Sequence, residues 1–155
     1  MSKAILHSSQ YQNYRPVRLI VVHCSATRCN RAFPVEAVVA AHIERGFATI
    51  GYHYYVTRDG VVHLGRPVYQ EGAHATGWNK YSIGVCYEGG LDVRGHPADT
   101  RTEAQKEALR LLLLRLKADY PAARIVGHRD LGVPKECPCF DAAAEYANLV
   151  SDGDE

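Results

Sequence analysis

The chain has 155 residues, enough for one domain with a genuine core. Apolar residues make up 46% and charged residues 23%, a globular composition, and the formal net charge of +1 argues against nucleic-acid binding through broad basic patches. No apolar run approaches the roughly 20 residues that cross a bilayer, and residues 1–7 hold one lysine and no long apolar stretch, so neither a membrane partner nor a secretory signal is expected. The five cysteines are odd in number and irregularly spaced, which suits metal binding or buried thiols in a reducing compartment better than a disulfide framework.

Residues 1–17 read as an irregular N-terminal arm, 18–150 as one domain and 151–155 as an acidic tail. Residues 18–23 are rich in Leu, Ile and Val without helical period and predict a buried strand ending at His23. Pro34 opens an amphipathic helix over 35–45, with Val35, Val38, Val39 and Ile43 on its apolar face and Gly46 closing it. Runs at 52–56 and 61–64 flank Arg58-Asp59-Gly60 and predict a hairpin. Strand alternation puts Tyr52 and Tyr54 on one face, His53 and Tyr55 on the other.

Residues 65–80 are punctuated as a loop, and 82–87 predict a further strand stopped by Gly89-Gly90. Thr102-Glu103-Ala104-Gln105 has the pattern of a capping box. The helix it opens is apolar almost all round, from Ala108 to Tyr120, and should be well buried; Pro121 ends it. Residues 124–126 form a short strand delivering His128, and 142–150 a last helix. Strands alternating with helices imply an α/β layer architecture.

The densest chemistry lies in Gly127-His128-Arg129-Asp130 and Pro134-Lys135-Glu136-Cys137-Pro138-Cys139. His23 and His128 both sit where a strand meets a loop, the usual place for a site in an α/β sheet. Two imidazoles and one thiolate make a three-ligand zinc set with a position open for water, which is the catalytic arrangement. Spacing alone leaves Cys137 and Cys139 as alternatives. Cys24 follows His23 on a strand and should face the opposite side. Lys135 could donate to a developing oxyanion, and Tyr52 could orient a water or polarise a carbonyl. The loop 72–79 offers His74, Thr76, Trp78 and Asn79, side chains suited to a sugar–peptide ligand. His42, His53, His63 and His96 read as structural or surface residues.

Together these segments resemble the type 2 N-acetylmuramoyl-L-alanine amidases, most closely the short phage lysozymes of amidase type and more distantly the peptidoglycan-recognition proteins. The resemblance is carried by Val22-His23-Cys24-Ser25-Ala26-Thr27, Gly51-Tyr52-His53-Tyr54, Arg58-Asp59-Gly60, Ala73-His74-Ala75, Asn79, Ser82-Ile83-Gly84-Val85, Gly127-His128 and Lys135-Glu136-Cys137-Pro138. It implies one zinc ion held by His23, His128 and Cys137, the thiolate standing two residues after the lysine and before a proline. It also implies catalytic roles for Tyr52 and Lys135 and peptidoglycan as substrate; from the composition of the 72–79 loop, His74, Thr76, Trp78 and Asn79 are expected to line its groove.

The implied fold is a central mixed sheet flanked by helices, with a zinc-floored groove on one face. The expected reaction is hydrolysis of the amide between N-acetylmuramic acid and L-alanine. A monomer without a leader is expected, made in the cytoplasm and acting on the wall after release or export. Two other readings stand beside it. One is a non-catalytic peptidoglycan-binding module, which the thiolate ligand argues against. The other is a redox or zinc-storage protein using Cys137-Pro138-Cys139, which explains neither Tyr52 nor the loop at 72–79.

Overall fold

The structure, a computed structural model, describes residues 15–149. Most of the expected arm and the whole acidic tail lie outside the described residues.

Strand β1 (Leu19–Cys24) is buried along its whole length. Two strands flank it, both parallel to it: β5 (Ser82–Tyr87) and β7 (Arg124–Gly127). Beyond β5 lies β3 (Tyr54–Val56), also parallel, and then β4 (Val62–Leu64), antiparallel. The sheet order is β4-β3-β5-β1-β7. Strands β2 (Thr27–Arg28) and β6 (Gly90–Leu91) form a separate parallel pair. The central strands are covered on both faces, which is why they read as unbroken apolar runs rather than alternating ones.

One face carries Ile20, Val22 and Cys24 of β1 with Ile83, Val85 and Tyr87 of β5, packed on Leu109, Leu113 and Leu116 of helix α2 (Glu103–Asp119). On the other face Tyr55 and Cys86 pack with Val38 of helix α1 (Val35–Glu44), while Leu19, Val21 and Val126 form a smaller cluster. The result is a mixed sheet between few helices, as expected.

The capping box forms as read. Thr102 Oγ1 accepts the Gln105 N–H at 3.0 Å, and Gln105 Oε1 accepts the Thr102 N–H at 3.0 Å. The amide of Gln105 does more than cap. Its Nε2 donates to Val56 O at 3.1 Å and Glu88 O at 2.9 Å, stitching the helix start to the ends of β3 and β5.

Other expectations need correction. Helix α2 buries a stripe at 105, 109, 113 and 116, the i, i+4, i+8, i+11 pattern of one face, while Leu111 is 52% exposed. In α1 the inward position after Val38 belongs to His42, which accepts the Gly51 N–H at 2.8 Å, and Ile43 is 52% exposed. The last helix, α3 (Ala142–Glu145), is one turn long rather than reaching 150. Strand β3 starts at Tyr54, so alternation does not extend back to Tyr52. Tyr52 packs beside Tyr55 on the α1 side, whereas Tyr54 packs on the α2 side. The chain before β3 is shaped by a close approach at Gly51, where a Cβ would stand 2.1 Å from Ala73 O. At the end of the expected arm, Arg15 is docked, donating to Val68 O at 3.0 Å and Ser82 O at 2.9 Å.

Gln105→Leu should cost about 1–3 kcal/mol, because Glu88 O is then buried without its amide donor and the reciprocal cap is lost. Urea unfolding measures this, and an unchanged midpoint would remove Gln105 as the link between helix and sheet.

Candidate metal centre and groove

The pairing of β1 with β7 aligns Val22 with Gly127, so the next residues, His23 and His128, leave neighbouring parallel strands at the same rim. Their ring centroids are 4.5 Å apart. His128 opens a 3₁₀ turn (His128–Leu131), closed by the Gly127 N–H donating to Asp130 Oδ2 at 2.8 Å. The chain then returns. Arg129 N–H donates to Cys137 O at 2.8 Å, and Cys24 N–H donates to Cys137 Sγ at 3.2 Å. That places the sulfur 3.8 Å from His23 Nδ1.

One ligand atom from each of His23, His128 and Cys137 lies within 4.8 Å of the others. A tetrahedral zinc with ordinary Zn–S and Zn–N lengths separates its sulfur and nitrogen by about 3.5 Å. The donor set therefore fits that ion in chemistry and spacing. Burial holds His23 well below the ordinary histidine range, helped by His74, His128 and Lys135. Burial, then Lys135, lowers His128 as well. Both rings are thus held in the neutral form that ligates metals.

Cys139 takes no part in this cluster. Its Sγ lies 3.9 Å from Cys24 Sγ and donates to Gly90 O at 3.2 Å, with the sulfur packed toward the α2-side core. Cys24 faces that side too, as strand alternation requires.

The three donors floor a groove of about 450 Å³. Tyr52 forms part of its wall, with its ring centroid 5.0 Å from that of His23. Burial pushes the Tyr52 hydroxyl well above the ordinary tyrosine range, and the Cys86 and Cys137 sulfurs push it further. Lys135 lines the rim with an exposed side chain.

His74, Thr76 and Asn79 also line the groove; Trp78 does not, and stands 39% exposed just before the 3₁₀ turn (Asn79–Tyr81). Asn79 Oδ1 accepts the N–H groups of His74 and Ala75 at 2.8 and 2.9 Å, so this side chain shapes the loop from within. His74 Nδ1 is 2.8 Å from His23 Nε2, and its Nε2 is 3.2 Å from Ser82 Oγ. Burial holds His74 at about 3, with His53 and His128 lowering it next.

Sequence reasoning missed His42, Arg45 and Phe47, which also line the groove. The signal for His42 was its place four residues after Val38 on the inward helix face. Arg45 lies over the Phe47 ring at 5.0 Å. His53 is a structural residue, as expected: it is 1% exposed, accepts the Gly84 N–H at 3.0 Å and lies 2.8 Å from Gln70 O.

The family described as N-acetylmuramoyl-L-alanine amidase matches residues 13–140. The chain belongs to this family. It is 41% identical over 132 residues to an endolysin of Klebsiella phage KP32, covering 85% of this chain and 87% of that protein. It is 30% identical over 118 residues to a peptidoglycan-recognition protein of Drosophila melanogaster, covering 73% and 64% of the two chains. Among solved structures, the N-acetylmuramoyl-L-alanine amidase LysC from Clostridium intestinale superposes with a TM-score of 0.74 at 27% identity, over 88% of this chain and 87% of that one. The amidase assignment thus rests on sequence and fold together.

Asn79→Ala should loosen the loop without displacing the sheet. The expected result is faster hydrogen exchange at the His74 and Ala75 amides and a stability loss of about 1–3 kcal/mol. Unchanged exchange at both amides would show that Asn79 does not hold them.

Proposed function

We propose that this amidase cleaves the amide between the lactyl group of N-acetylmuramic acid and L-alanine of peptidoglycan at one zinc ion held by His23, His128 and Cys137. The observation that carries the reading is the convergence of those three donors on the floor of one groove. Bound there, zinc supplies Lewis acidity for the scissile carbonyl and lowers the pKa of water.

The chain's own groups do the rest. Tyr52, its proton retained by burial, offers a hydroxyl beside His23 that orients the attacking water. Water oxygen bonds to the carbonyl carbon, the carbon–nitrogen bond breaks, and the alanine amine leaves with a proton that came from the water. Lys135 sits at the rim, where its ammonium stabilises the negative oxygen of the tetrahedral state. Thr76 lines the groove with a hydroxyl suited to the glycan–peptide.

All proposed groups come from one chain, so a monomer suffices. The likeness to phage endolysins supports action on a bacterial cell wall after release from the cytoplasm. A thiolate among the donors favours an enzyme over a binding-only module, since three protein ligands leave a fourth position for a reactant.

Cys137→Ser should lose zinc and activity together, while Cys139→Ser keeps both. Metal analysis with release of free L-alanine amino termini from purified wall reads both. Equal losses in the two variants would overturn the choice of Cys137. Lys135→Ala should retain zinc and lose about 10²–10³ in turnover, as removal of an oxyanion donor does. A raised KM with unchanged kcat would make the lysine a substrate anchor instead. Tyr52→Phe should keep zinc and lose most hydrolysis; near wild-type kcat would remove Tyr52 from the mechanism.

A further inference from the structure

The two nitrogens of His23 face different partners. Nδ1 lies 3.8 Å from Cys137 Sγ, and Nε2 lies 2.8 Å from His74 Nδ1. A neutral imidazole carries one proton, and a ligating nitrogen must be bare. If Nδ1 ligates, the proton sits on Nε2. His74 must then accept it at Nδ1, which leaves the His74 proton on Nε2, 3.2 Å from Ser82 Oγ. Each tautomer follows from the one before.

We propose that His74 is a positioning residue for the metal: its Nδ1 accepts the Nε2–H of His23 and fixes the tautomer and ring orientation that present Nδ1 to the zinc. The inference rests on the zinc reading above and replaces the expectation that His74 binds substrate. Metal-ligating histidines almost always donate their second N–H to such a partner, most often a carboxylate, a carbonyl or water. Here the partner is a second imidazole, 87° from the plane of the first.

The surroundings are built to hold that ring. Asn79 Oδ1 fixes the His74 backbone N–H. Gly84 of β5 leaves the space the ring occupies, for a Cβ there would lie 2.6 Å from His74 Cγ. Gly72 does the same from the loop side, with a Cβ 2.8 Å from His74 Cδ2. Asn79 thus holds the His74 backbone while the His74 ring bonds His23, which ties the loop to the floor of the groove. Both His74 nitrogens are engaged within the protein, which leaves no ring nitrogen free for a ligand.

The test compares zinc affinity, by competition with a chromophoric chelator, in wild type and His74→Ala, His74→Asn and His74→Gln. Asn carries an amide oxygen near the place of Nδ1 and can accept from His23; Gln reaches the place of Nε2 and cannot. Loss of such an outer partner typically costs about 10–100-fold in metal affinity, and that is expected for the Ala and Gln variants. His74→Asn should stay within about threefold of wild type. Ser82→Ala, which removes only the far acceptor, should weaken binding less than His74→Ala. The Asn and Gln variants are close in size, so their comparison holds even should the Ala variant fail to fold. Equal affinity in the Asn and Gln variants, or wild-type zinc affinity with only a raised KM in His74→Ala, would overturn the proposal and return His74 to the substrate. A wild-type protein that binds no zinc would instead overturn the reading on which it rests.

Discussion

The site depends on the register of one strand. β1 is buried on both faces and paired in parallel on both sides, so its carboxyl end meets that of β7 at one rim. The period-two alternation then sends Cys24 toward the α2 side and His23 toward the groove. A slip of one residue would exchange them, burying the imidazole under α2 and presenting a thiol to the groove. Apolar packing on both faces is what forbids the slip. The same backbone serves the third donor, because the Cys24 N–H reaches Cys137 Sγ and anchors the returning loop.

Electrostatics follow from that placement. Three histidines crowd the floor, with Lys135 near by, and burial disfavours the charged imidazole in each. Had any of them been protonated, it would repel both a cation and its neighbours. Burial thus disfavours protonation of all three rings, which suits His23 and His128 to ligation and His74 to accepting from His23, while the Cys24 N–H would offer a thiolate its hydrogen bond. A dication bound there beside one thiolate would leave net positive charge on the floor, suited to a carbonyl oxygen that becomes negative.

Much of this was legible in the chain. β5 runs over the residues read for it, β1 and β7 differ from their expected spans only at the ends, and the capping box at Thr102 and Gln105 is where local pattern put it. These segments obey short-range rules. The choice of Cys137 over Cys139 was not legible in spacing; it came from family resemblance, and in space it depends on which sulfur the Cys24 N–H meets across 113 residues. Tyr52 was assigned a face by alternation, yet the strand starts two residues later, because a tertiary contact at Gly51 governs the backbone there. Leu111 and Ile43 were expected inside, but composition cannot say that a helix has only one covered side. The helix spacing that turns His42 inward with Val38 could not say that a groove lies against it. The His23–His74 contact stayed hidden because it is set by which elements meet, and nothing local marks it.

The central claim is that His23, His128 and Cys137 bind one zinc ion and leave a fourth position open. Zinc K-edge absorption fine structure on the metal-loaded protein tests it directly. The account predicts one sulfur at about 2.3 Å, two imidazole nitrogens at about 2.0–2.1 Å and one further light atom from solvent. Two sulfurs in the shell would bring a second cysteine into the site and contradict the assignment. A shell of nitrogen and oxygen alone would exclude Cys137, and with it the proposed mechanism.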